Sequence, residues 1–192
     1  MIFLSASIPN KDRDKKYFES ADVIAIRDAV RALATLVIPQ TKLIWGGHPA
    51  ITPLIRHVLN RMNFSPKDHV TIYQSNFFKE YFPPDNLDFE DIRIINEKFD
   101  KDSSLLEMRN EMINGNEFKV GIFIGGMEGV ELEFEMFKKA HPKALLLPVA
   151  STGAAAKIIY DNKVENPDIR LKNEYAYMSL FRSLLKVVLP NE

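Results

Sequence analysis

Two rhythms of apolar and polar positions run along this chain. Short, nearly continuous apolar runs recur at residues 2–4, 42–45, 69–73, 92–95, 119–124 and 144–149. Runs of that length and composition predict strands buried on both faces. Longer stretches with helical spacing lie between them. Ile51, Leu54, Ile55, Val58, Leu59 and Met62 fall at i, i+3, i+4, i+7, i+8 and i+11, which is one face of a helix. Further helices are expected over residues 20–37, stopped by Pro39, and over 103–114, closed by Asn114-Gly115. Another follows the fifth strand, a short one begins near Gly153, and a last one carries Tyr177, Phe181, Leu184, Leu185 and Val188. Strands alternating with helices predict a mostly parallel sheet covered on both faces. Residues 74–91 are the one long irregular stretch, with Phe77, Phe78, Tyr81, Phe82, Pro83 and Pro84. Packing or a subunit contact suits that stretch better than a lid.

Composition narrows the classes. The 192 residues suit one domain spanning 1–192. A net charge of −1 without like-charge runs argues against a nucleic-acid partner. The absence of cysteine excludes disulfides, thiol catalysis and cysteine-bound metals. The first ten residues lack a secretory pattern and no run is long enough to span a membrane, so a cytoplasmic protein is expected. His48, His57, His69 and His141 show no metal-ligand spacing. There is no G-x-S-x-G elbow and no Walker lysine turn. The first strand is not followed by a dinucleotide fingerprint. No cofactor or metal is expected.

Four turns follow strands and lead towards helices: Ser5-Ala6-Ser7, Gly46-Gly47-His48, Gly125-Gly126-Met127-Glu128-Gly129 and Ser151-Thr152-Gly153. In a parallel sheet all four share the carboxyl edge, where open α/β sheets bind ligands. Bare backbone, helix N-termini and hydroxyls in that place favour a phosphate-bearing ligand. Two charged residues break the apolar stripes nearby. Glu133 shares a stripe with Val130, Phe134 and Phe137, and Arg109 shares one with Leu105, Met112 and Ile113. A carboxylate so placed needs a partner or a polar pocket. Arg109 either packs its stem and reaches water, or offers its fork to phosphate or to Glu133. Glu131 and Glu135 fall off that stripe. Glu131 is expected to face solvent, and Glu135 to pair with Lys139 at i+4. His48 caps a helix or touches the ligand.

These segments, taken in order, resemble the SLOG superfamily, the Rossmann-like group named from the Smf/DprA and LOG proteins. "IFLSASIP" followed by Tyr17, "LIWGGHPAITPLI", "LLEMRNEMI" and "GGMEGVELE" are similar to successive LOG segments, the last to G-G-x-G-T-x-x-E. "LPVASTGAAA" resembles the late strand and turn of SLOG modules in Thoeris-type antiphage effectors. The resemblance covers residues 1–160 and implies a three-layer α/β Rossmann-like fold. In LOG enzymes the arginine and glutamate serve cleavage of the N-glycosidic bond of a nucleoside monophosphate. Carried over, that implies Arg109 and Glu133 as catalytic residues and Gly125, Gly126 and Gly129 as the phosphate turn. Here an extra residue separates Gly126 from Gly129, Val130 replaces the threonine, and Asn110 replaces a lysine. The closest likeness is to a bacterial SLOG cluster family of nucleotide sensors in conflict systems.

The resemblance therefore implies a sensor of a nucleotide or NAD-derived signal, with a phosphoribohydrolase as the alternative. A third reading is a protein-binding module that works through residues 74–91. The implied ligand-binding set is Ser5, Ser7, Gly46, Gly47, His48, Arg109, Gly125, Gly126, Glu128, Gly129, Glu133, Ser151, Thr152 and Gly153. A homo-oligomer and a separate effector protein are the implied partners, with the C-terminal apolar stripe available to a dimer.

Overall fold

The structure, a computed structural model, describes residues 1–62 and 69–189. Among them, strands β1 (Ile2–Ser7), β2 (Leu43–Trp45), β3 (Val70–Ser75), β4 (Ile92–Ile95), β5 (Val120–Gly125) and β6 (Leu145–Val149) form one sheet. Its order is β4-β3-β2-β1-β5-β6, and every pairing is parallel. The chain first winds outward from β1 to β4, then crosses back to lay β5 on the free side of β1. The carboxyl ends of β1 and β5 thus flank the point where the winding reverses.

Helices cover both faces. One face is closed by α2 (Val23–Val37), α3 (Thr52–Leu59) and α8 (Tyr177–Leu185), whose apolar stripes meet Ile2, Leu4, Trp45, Ile72, Ile122 and Ile124. The other carries α4 (Lys101–Asn114), α5 (Glu128–Ala140) and α6 (Ala154–Asn162) over Phe3, Ile44, Tyr73 and Phe123. Aromatic rings dominate that second core: Phe3 stacks on Phe137 with centroids 5.0 Å apart, and Phe123 meets Phe134 edge-on at 5.1 Å. Two short helices, α1 (Lys15–Phe18) and α7 (Arg170–Asn173), complete the set.

Local chemistry moves several boundaries from their expected places. The helix expected over 20–37 begins at Val23, because the Asp22 carboxylate accepts from the Ala25 N–H and caps it there. α4 begins at Lys101 rather than Ser103, because Asp100 and Ser103 form a reciprocal capping box. Residues 74–91 are less irregular than expected. β3 extends to Ser75, and 3-10 turns follow at Asn76–Tyr81 and Pro84–Asp88. Phe77 and Tyr81 stay exposed there, while Phe89 is buried edge-on against Trp45. Tyr177, Leu180, Phe181 and Leu185 of α8 are all buried, so the C-terminal stripe is used within this chain.

Candidate functional site

Ser5, Ala6 and Ser7 are strand, not turn, since each pairs with β5: Ser5 with Phe123, Ala6 with Ile124 and Ser7 with Gly125. Alternation along β1 then turns Ser5 and Ser7 to the same face as Phe3, the face that α4 and α5 cover. That placement unites three sequence-distant residues. The Ser5 hydroxyl donates to Glu133 Oε2 at 2.6 Å, and Arg109 Nε donates to Glu133 Oε1 at 3.0 Å. The Arg109 and Glu133 side chains are only 13% and 14% exposed, so the pair is largely withdrawn from water. Both carboxylate oxygens are satisfied, which fixes the carboxylate plane at the carboxyl edge of the sheet.

The guanidinium has capacity left over. Only Nε has a protein acceptor among the described residues, and the terminal nitrogens extend to Gly129. A Cβ added to Gly129 would lie 2.9 Å from Arg109 Nη2. Gly129 sits in the first turn of α5, whose N-terminus has no side-chain cap, so the opening N–H groups remain for solvent or a ligand. Gly125 and Gly126 lead the chain into that helix with φ of +56° and +89°. The Gly126 N–H donates to the Ser7 carbonyl at 2.8 Å, and the Gly125 N–H to Thr152 Oγ1 at 2.9 Å. The turn is therefore held rigidly at its base and open at the helix end.

Other members of the expected set have different employment. Glu128 is exposed and ion-paired with Arg13 of the β1–α1 connection. Thr152 also donates to the Val149 carbonyl at 2.6 Å, so its hydroxyl braces the glycine turn from beneath. The Ser151 hydroxyl lies 3.1 Å from the phenol of Tyr177, whose pKa burial pushes up to about 12. Gly153 packs on the Ser20 backbone, and the Ser20 hydroxyl accepts from the Ala154 N–H at 3.1 Å, sealing the start of α6. Ser151, Thr152 and Gly153 thus support the site's floor, and their own turn is filled by the chain.

At the β2 turn, Gly46 lies against the Met108 and Met112 side chains, one of them next in sequence to Arg109. The Gly47 carbonyl accepts from Gln74 at 3.4 Å. His48 braces the turn before α3, which has no side-chain cap of its own: its Nδ1 accepts from the Ala50 N–H at 3.2 Å, and its carbonyl accepts from Ile51 and Thr52. Burial pushes the His48 imidazole down to about 4. Glu131 and Glu135 differ from expectation. The Tyr17 hydroxyl donates to Glu131 at 2.6 Å, and Lys163 pairs with both glutamates, at 3.3 Å and 2.9 Å. Sequence reading missed Tyr17 and Lys163 as partners because nothing local signals that α1 and the end of α6 converge on α5.

An all-parallel sheet with a charged pair and an uncapped helix at its reversal point defines a Rossmann-like α/β protein. The chain belongs to the SLOG cluster3 family, whose profile matches residues 16–185. That membership points to a nucleotide-related function and a nucleotide-type ligand. The fold is shared with the X-ray structure of TM1055, a structural-genomics target. The two are 12% identical, with a TM-score of 0.52 over 88% of this chain and 87% of that one. No match appears among curated proteins. No helix among the described residues is long and apolar enough to cross a membrane.

Proposed function

We propose that this chain is a nucleotide-sensing module that binds a phosphate-bearing, nucleotide-derived signal at the reversal point of its sheet. One observation carries the reading. Arg109 is held by Glu133 through Nε alone, which leaves its terminal nitrogens beside Gly129 at the open end of α5. Guanidinium and free helix N–H groups together suit a phosphate. Sensing also accords with the altered glycine turn and with the sequence likeness to modules of bacterial antiphage systems. The chain would then pass its signal to a separate effector protein.

Cleavage of an N-glycosidic bond is the second reading, and the fixed carboxylate of Glu133 favours it. A carboxylate oriented by Ser5 and Arg109 could stabilise the positive charge developing on a ribose ring. One experiment separates the two. Thermal unfolding is followed with nucleoside monophosphates, NAD, ADP-ribose and its cyclic isomers, and each mixture is chromatographed afterwards. A raised Tm with the nucleotide recovered intact supports sensing; release of free base supports hydrolysis. Glu133→Ala would abolish turnover in an enzyme but only weaken binding in a sensor. No shift with any compound would overturn both readings.

A further inference from the structure

A second arginine stands at the mouth of the candidate site. Arg13 belongs to the connection between β1 and α1, which is exposed from Asn10 to Asp14. Its guanidinium pairs with the carboxylate of Glu128, the first residue of α5. The next residue, Gly129, is the one beside the terminal nitrogens of Arg109. Neighbouring Cα atoms are about 3.8 Å apart. The first turn of α5 is therefore reached by two arginines, Arg109 from α4 and Arg13 from the β1–α1 connection.

A buried hydroxyl beside that turn points to a ligand. Ser7 is only 7% exposed, yet among the described residues no group bonds its hydroxyl. It shares the face of β1 from which Ser5 reaches Glu133. Its carbonyl receives the Gly126 N–H, so Ser7 stands at the base of the glycine turn. Buried polar groups are normally paired, and one left unpaired here leaves a donor for an incoming oxygen.

Glu128 is the odd member of this group. Its carboxylate suits the positive end of the helix dipole, but it also puts a negative charge where an anion is to bind. The Arg13 and Glu128 side chains are 48% and 54% exposed. An ion pair that open to water is weak and readily exchanged. A phosphate offers the guanidinium more charge and a fuller set of acceptor oxygens than a carboxylate does.

We propose, on the strength of the phosphate site argued above, that Arg13 is a second phosphate-binding arginine and that Glu128 is its resting partner, displaced by a ligand with two adjacent phosphates. One phosphate lies on Arg109, Ser7 and the start of α5, and its neighbour draws Arg13 away from Glu128. Glu128 then opposes binding, the reverse of the role its place in the implied ligand set gives it. A single phosphate is held without Arg13, and a second one brings the β1–α1 connection onto the ligand.

Calorimetric titration of the full chain with inorganic phosphate and with pyrophosphate tests the exchange without presuming a base. Arg13→Ala weakens pyrophosphate binding by about tenfold and phosphate binding far less. Glu128→Gln strengthens pyrophosphate binding, and that gain disappears in the Arg13→Ala background. A pair that merely ties the connection to α5 is broken equally from either side and gives both variants the same sign. Variants that act alike, or a Glu128→Gln gain that survives the loss of Arg13, overturn the exchange and leave the phosphate site standing. Arg109→Ala reports on that site separately and abolishes binding of both anions. If the wild type binds neither anion, or Arg109→Ala changes nothing, the phosphate site falls and the exchange falls with it. Circular dichroism of each variant checks that it folds.

Discussion

At the scale of single residues, His48 offers the clearest link between burial and pH. Its folded imidazole titrates near 4, against 6.5 for an ordinary histidine, because burial disfavours the charged ring. Between those values the unfolded chain binds a proton that the folded chain does not. Stability is therefore full above pH 6.5 and falls as the pH drops towards 4, by roughly 3 kcal/mol at most. Asn in this place can still accept the Ala50 N–H but cannot titrate. Urea unfolding at pH 7 and pH 4.5 should show a steeper acid loss for the wild type than for His48→Asn. Helical period alone marked Glu133 and Arg109, because each interrupts an apolar stripe. Ser5 as the second partner of Glu133 was not legible: that contact needs β1 and α5 to be neighbours, and no spacing along the chain encodes it. Thr152 likewise read as a ligand group, since its role as a brace depends on β5 lying beside β6.

At the scale of elements, the glycines of one turn do different jobs. Gly126 has φ of +89°, and a Cβ there would fall 2.3 Å from the Val130 side chain. Gly129 has ordinary helical backbone, and its added Cβ would meet only the far end of the Arg109 side chain. Gly126→Ala should thus destabilise the fold by more than about 1 kcal/mol. Gly129→Ala should leave stability nearly unchanged, or slightly improved by helix propensity. It should instead displace the guanidinium and weaken phosphate binding. Chemical denaturation of both variants, with titration of whichever nucleotide raises the wild-type Tm, separates the two roles. The sequence marked the glycines and the helix after them, but not which ones the backbone required. Period marked the six strands and the six longer helices among the described residues, but not the single-turn helices α1 and α7 or the 3-10 turns at 76–88. Ends were less legible, since Asp22, Asp100 and the β1–β5 ladder reset them.

At the scale of the whole molecule, alternating strands and helices gave the class, a parallel sheet covered on both faces. The order of strands was not legible, because the crossover from β4 to β5 depends on which faces bury each other and not on any one segment. That order makes β1 and β5 central and leaves residues 76–88 as short 3-10 turns at the periphery. Native-state hydrogen exchange should follow it. Amides of β1 and β5 should exchange only through global unfolding, and those of 76–88 faster by on the order of a hundredfold or more. Uniform protection across both would contradict the layered core.

The central place of β1 also has a consequence in time. β1 is synthesised before the rest of its sheet, and one of its two neighbours, β5, begins only at Val120. At ribosomal rates the wait is roughly ten seconds. Throughout it, the serine-bearing half of β1 has no ladder on its β5 side, and Phe3 has no Phe137 to stack on. The nascent chain must pass through an interval in which a central strand of its finished sheet stands half-paired.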